Sequence, residues 1–146
     1  MLSLSPTLIS EWQPVNLNFT DAFRAYGATL ANPQWAYSSI ASDGSMVISC
    51  WAHKLKFANG MLTYTDRLSR WNLNAPGKNL LTEHLRKAFD ERLDVRLVIA
   101  RTDQPDVVER GEEAASIKKT FDIKENAVGK VTVFDGDNFV IEFRQR

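Results

Sequence analysis

Between Trp51 and Lys78 the chain interleaves aromatic rings with cations: Trp51, Lys54, Lys56, Tyr64, Arg67, Arg70, Trp71 and Lys78. That mixture suits nucleic acid, because aromatic planes flank or stack on bases while cations neutralise phosphates. The plainer reading keeps Trp51 and Tyr64 in the core and leaves the cations on a solvated face, since tryptophans are largely buried in most folds. A second basic group, Arg86, Lys87, Arg92, Arg96 and Arg101, has Glu83, Asp90, Glu91 and Asp94 standing among it. Pairing along one helix, such as Glu83 with Lys87, accounts for those charges.

Other chemistry finds little support. A general base needs a second group within hydrogen-bond reach, and neither His53 nor His84 has one visible in the sequence. His84 is expected exposed on the polar flank of a helix. Cys50 lies in an apolar run, whereas reactive thiols sit in polar, partly exposed places, so a buried thiol is expected. Two separated histidines and one cysteine make no zinc site. Acidic residues 103–113 and 135–137 lack the spacing of a calcium loop. The expectation is no catalytic residue, no metal and no cofactor.

At 146 residues, 44% hydrophobic and 25% charged, the chain has the size and composition of one globular domain, 1–146. Eighteen basic and eighteen acidic residues cancel, so no global field announces nucleic acid or membrane. The single cysteine excludes an internal disulfide. The opening MLSLSPTLISEW has neither the basic start nor the apolar core of a signal peptide. No stretch reaches the roughly 20 apolar residues of a membrane span, so a cytoplasmic protein is expected.

Residues 33–56 predict a hairpin about Asp43-Gly44. A two-residue turn pairs Ile40 with Val47 and groups them with Trp51, leaving Trp35, Tyr37, Ile48 and Cys50 on the other face. A bulged turn puts Trp35 and Trp51 on one face. The two-residue turn is favoured, with both strands interior to a sheet. Residues 1–17 predict an irregular arm, and 20–27 a short helix with Thr20 as N-cap and Gly27 as stop. Asn59-Gly60 suggests a second hairpin between 54–57 and 61–64, inside a long functional or mobile loop at 57–78.

Residues 80–92 predict the principal amphipathic helix, with Leu81, Leu85, Ala88 and Phe89 in one stripe. The unbroken apolar run in 95–101 suits a strand buried on both faces and parallel to 46–53. Residues 102–113 predict a surface loop; 114–123 fit neither period. The closing hairpin, 130–134 with 138–144, turns at Asp135-Gly136 and alternates Val131, Val133, Phe139, Ile141 and Phe143. The expected fold is α+β: a mixed, mostly antiparallel sheet of hairpins, one principal helix and a short N-terminal helix.

The order ISCW, a basic loop containing DR, LLxxHLRKAFxxR, RLVIAR, SIKK and KVTVFDGDNFVIEF is similar to the N-terminal DNA-recognition domain of modification-dependent HNH restriction endonucleases. Those enzymes read 5-methylcytosine. The resemblance covers roughly residues 40–144 and implies that Trp51 and the loop after it form the base-recognition region. The nuclease half, with its clustered histidines, asparagine and metal site, has no counterpart here, so a reader without a nuclease is implied. The stretch FRAYGATLANPQWAYSSI also resembles a class of uncharacterised bacterial proteins.

Two functions follow as expectations. One is a small nucleic-acid-binding module, a reader of modified DNA bases linked to restriction or defence, with duplex DNA as partner. The other is a protein-interaction module, an adaptor or inhibitor in a defence or mobile-element setting, docking through the aromatic hairpin or the 57–78 segment. An enzyme ranks last for want of a convergent catalytic set.

Overall fold

Strands β1 (Ser38–Ile40) and β2 (Met46–Trp51) form the first hairpin, and its turn is the bulged one. In this computed structural model, which describes residues 17–32, 36–70, 76–110 and 118–145, Ile40 pairs with Met46, not with Val47. Asp43 decides this. Its Oδ1 accepts from the Ser45 amide at 3.0 Å and from Ser45 Oγ at 2.6 Å, and these bonds hold its carboxyl below the usual range. Gly44 then becomes the extra residue, at φ +90°, in the left-handed region that glycine enters at least cost. The favoured two-residue register is thereby overturned. Met46, Ile48 and Cys50 point to one side of the sheet and Val47 to the other. Ile40 follows the Met46 side. Trp35 lies outside the described residues, as does the arm at 1–16.

β5 (Val95–Arg101) runs parallel to β2, from Met46 opposite Val95 to Trp51 opposite Ala100, as the continuous apolar run predicts. Helix α2 (Pro76–Glu91) makes the crossover. Strands β3 (Leu55–Ala58), β4 (Met61–Arg67), β6 (Thr120–Ile123), β7 (Ala127–Phe134) and β8 (Asn138–Gln145) complete a mixed sheet. Its order is β1-β2-β5-β7-β8-β4-β3, with β6 pairing β5 as well. β1 is therefore an edge, which corrects the expectation that both arms are interior.

The sheet has to curl. β2 and β3 stand near opposite ends of the order, yet the three-residue 3-10 turn Ala52–Lys54 joins them. Across the gap the Trp51 amide donates to Tyr64 Oη at 3.4 Å. Inside the curl, Met46, Ile48, Cys50, Tyr64, Leu97, Phe139, Ile141 and Phe143 form the main core, closed by Leu81, Leu85 and Ala88 of α2. Full burial of each large apolar side chain contributes about 1.5–3 kcal/mol. Phe89, expected on that stripe, is exposed. Helix α1 (Phe19–Arg24) covers the opposite face of β2 and β5, packing Ala22 and Phe23 against Val47 and Val98. Its N-cap is Asn18, whose Oδ1 accepts from the Asp21 amide at 2.8 Å, rather than Thr20. Gly27 provides the left-handed stop.

The described residues of the expected loop at 57–78 are strand, 3-10 turn and helix, and 71–75 lie outside the described residues. Asn59 and Gly60, both at positive φ, turn the predicted hairpin. β4 then continues to Arg67, a second 3-10 turn spans Leu68–Arg70, and α2 begins at Pro76. Leu62, Tyr64 and Asp66 face inward while Thr63, Thr65 and Arg67 face outward. A charged residue in the inward set hid that period of two. The expected loop at 102–113 also holds a short helix, α3 (Pro105–Glu109). In β7 a bulge between Val131 and Val133 turns Val133 outward to 46% exposure, against its expected place on the covered face. Gly129 has no room for a side chain, since a Cβ would meet the Phe143 ring at 2.6 Å. Among the described residues no helix is long and apolar enough to cross a membrane.

Candidate nucleic-acid interface

The curl gives β3, β4, β8 and β7 an outer face. Register places Lys56, Thr63, Glu142 and Lys130 in one row across it, and Ala58, Met61, Arg144 and Val128 in the next. Thr65 and Val140 follow, then Arg67 beside Asn138. Lys56, Thr65, Arg67, Lys130 and Arg144 are exposed, and no described helix packs on this side. Four cations thus share the face with one carboxylate, Glu142. Lys130 is engaged, with Asp94 at 3.0 Å and the Arg92 carbonyl at 2.6 Å. The side chains of Lys56, Arg67 and Arg144 have no partner among the described residues. Adjacent strands are about 4.8 Å apart, so one sheet face carries these cations at a spacing a phosphate backbone can use.

At the end of the curl, charges are instead paired. Asp66, its side chain 1% exposed, accepts from Arg70 Nε at 2.9 Å, Arg70 Nη2 at 2.6 Å, Tyr64 Oη at 3.1 Å and the Arg67 amide at 2.8 Å. Arg70 also donates to the Val108 carbonyl at 3.0 Å. Lys54 Nζ stands 3.7 Å from Asp66 and 3.1 Å from Glu109 of α3. Glu109 Oε2 further contacts His53 Nε2 at 2.9 Å. Burial pushes the Glu109 carboxyl up, but the hydrogen bonds from His53 and Lys54 outweigh it and hold it below its usual range. Burial, reinforced by Asp66, pushes the Tyr64 phenol and the Cys50 thiol well up, so both are neutral donors and not nucleophiles at neutral pH.

The eight sequence candidates therefore divide. Lys56 and Arg67 share the outer face. Lys54 and Arg70 are paired at the end of the curl. Tyr64 is core, and Trp51 is half-buried against it, its ring 6.1 Å from that of His53. Lys78 is half-buried in the first turn of α2. Trp71 lies outside the described residues. Arg144, Lys130, Asp66 and Glu109 were missed; the outward alternation of β8 marks Arg144, but only the pairing of β4 with β8 brings it beside Arg67 and Lys56.

The second basic group behaves as a structural set. Lys87 pairs with Glu91 at 3.1 Å in place of the expected Glu83, Arg101 with Asp122 at 2.9 Å, and Arg86 lies over the Phe134 ring. His84, expected exposed, is half-buried, with Nδ1 2.7 Å from Ser38 Oγ. Desolvation lowers its pKa, only partly offset by Glu83. Ser38 is fully buried, so this contact ties β1 to α2 and presents no nucleophile. No group of metal-ligating side chains occurs among the described residues.

No protein-family model matches this chain, and no curated protein matches it. Among solved structures it is similar to a crystal structure of KRYPTONITE in complex with mCHH DNA, H3(1-15) peptide and SAH, at 10% identity and TM-score 0.36, over 92% of this chain and 26% of that one. It is also similar to KRYPTONITE in complex with mCHG DNA and SAH, at 14% identity and TM-score 0.31, over 91% of this chain and 26% of that one. The chain thus spans about a quarter of the length of either structure it resembles.

Proposed function

We propose that this chain is a small nucleic-acid-binding module that grips the backbone of duplex DNA through the outer face of β3, β4, β8 and β7. Within that class we assign it to readers of modified bases, serving restriction or defence with any nuclease supplied by another chain. The observation that carries the reading is the set of cations Lys56, Arg67 and Arg144, without partners among the described residues, on one sheet face that no described helix covers. Lys54 and Arg70 are neutralised by Asp66 and Glu109; these three have no carboxylate partner among the described residues. Phosphate contacts give affinity and register, and the neutral net charge leaves the attraction local rather than global.

Mobility shifts on plain and methylated duplexes at about 50 mM salt, repeated as salt rises, test both levels. Lys56→Ala, Arg67→Ala and Arg144→Ala together are expected to weaken binding equally on all sequences and to reduce the salt slope by about three units at most. A parent protein that binds neither duplex ends the nucleic-acid reading. Equal affinity for plain and methylated DNA ends the modified-base reading and leaves the module.

One observation favours the alternative of a protein-docking module. β3 is the far edge of the sheet, and Phe57 on it is 73% exposed. An extended peptide adding to such an edge would gain main-chain hydrogen bonds and an aromatic anchor. Phe57→Ala removing a protein partner while DNA binding stays absent would select that reading.

A further inference from the structure

Lys54 and His53 hold the Glu109 carboxylate between two side-chain nitrogens, an arrangement that also suits one phosphate. Glu109 bridges them, with Oε1 3.1 Å and Oε2 3.2 Å from Lys54 Nζ and Oε2 2.9 Å from His53 Nε2. Lys54 is 17% exposed, whereas the Glu109 side chain covering it is 44% exposed. Glu109 is thus the outer partner. Helix α3 is anchored by Val108, buried, and by the Arg70 bond to the Val108 carbonyl. Arg70 in turn stays locked on Asp66. A change of Glu109 rotamer would therefore open the cradle while α3 remains seated, and Lys54 would keep Asp66 at 3.7 Å as its inner counter-charge.

We propose that Lys54 and His53 form a second phosphodiester-binding subsite, which Glu109 closes as an internal stand-in for the phosphate. This rests on the nucleic-acid reading above and adds its regulation: the backbone must displace an intramolecular carboxylate before the subsite contributes. The location supports it. Lys54 ends the 3-10 turn that leads directly into β3, so a backbone lying over Lys56 passes within two residues of the cradle. Trp51 flanks the same turn, with its ring tilted at 39° to that of His53. A phosphodiester carries one negative charge and two anionic acceptor oxygens, as a carboxylate does, so the exchange preserves the pairing of Lys54.

Glu109→Gln is the direct test, measured by mobility shift or anisotropy on one duplex dodecamer. Binding is expected to tighten on the order of five- to tenfold at about 50 mM salt, with a salt slope steeper by about one unit. Lys54→Ala in the Glu109→Gln background should abolish that gain, while Lys54→Ala in the parent should change affinity little, since Lys54 is already occupied. A gain that survives Lys54→Ala reports only the removal of a negative charge and overturns the proposal. So does unchanged affinity in a Glu109→Gln protein that melts with the parent. If Glu109→Gln unfolds, the parent itself decides: the His53 ring resonances must shift when the dodecamer is added, and unmoved resonances overturn the subsite. A parent that binds the dodecamer through Lys56, Arg67 and Arg144 without a Glu109 effect removes this subsite alone; a parent that fails to bind removes both readings.

Discussion

Two halves of one sheet are built to opposite specifications. Around β2 and β5 both faces are covered, one by α2 through Leu81, Leu85 and Ala88, the other by α1 through Ala22 and Phe23. Around β4 and β8 the described residues cover only the inner face, and the outer one carries threonine, lysine and arginine. In the dry half the half-buried Arg96 lies over the Tyr26 ring and donates to the Glu125 carbonyl. The half-wet one has both kinds of charge: Asp66 with Arg70, buried and mutually satisfied, and Lys56, Arg67 and Arg144, exposed and without partners among the described residues. The contrast teaches where the chain can spare charge. Desolvation makes an unpaired ion near the core costly, so the pairing there is structural. On the outer face water already solvates the cations, so they need no carboxylate partner.

The comparison can be broken most severely at Asp66. Asp66→Ala leaves Arg70, its side chain 8% exposed, without its carboxylate, and is expected to cost about 3–5 kcal/mol in denaturant unfolding. A loss under roughly 0.5 kcal/mol would show that this end of the curl is open to water. Next comes the dry half, where Leu85→Ala, at a fully buried position, should cost about 2–5 kcal/mol. A near-neutral result would mean that α2 does not seal the core. Gly44→Val should cost about 1–2 kcal/mol from the left-handed backbone alone, because the space around Gly44 is open. A variant that melts with the parent would contradict the bulged turn.

A smaller effect sharpens the comparison through pH. His84 is more easily protonated unfolded than folded, because desolvation holds its folded pKa below the ordinary 6.5. The unfolded chain therefore takes up the proton first, and stability is lost as pH falls below about 6.5 toward the lower folded value. Thermal melts between neutral and mildly acid pH should show that decline, and His84→Gln should flatten it. An unchanged slope in the variant assigns the decline to other groups. Smallest of all is the outer face: Lys56→Ala, Arg67→Ala and Arg144→Ala together should leave stability within about 0.5 kcal/mol per site of the parent. Calorimetry showing a large loss would make those cations part of the fold and remove them from the interface.

Local chemistry was legible in the residue order. Asp43-Gly44, Asn59-Gly60 and Asp135-Gly136 announce their turns because few residues reach positive φ, and the run Leu97-Val98-Ile99-Ala100 announces a strand buried on both faces because nothing in it tolerates water. The period of Leu81, Leu85 and Ala88 places the principal helix. Sequence also named Lys56 and Arg67, but in company with Lys54 and Arg70, which belong to another environment. Only the tertiary structure separates them, since a cation's solvation depends on what long-range pairing brings beside it. The same holds for the details that alternation obscured: Asp66 sits inward because Arg70 and Tyr64 satisfy it there, and Val133 turns outward because a bulge in β7 shifts its parity. Turn type and periodicity are properties of neighbours in sequence, and the chain alone determines them. Sheet order, the curl that joins β2 to β3, and the grouping of Lys56, Arg67 and Arg144 are decided by contacts between distant segments, where many pairings of apolar strands are possible and burial of the whole set selects one.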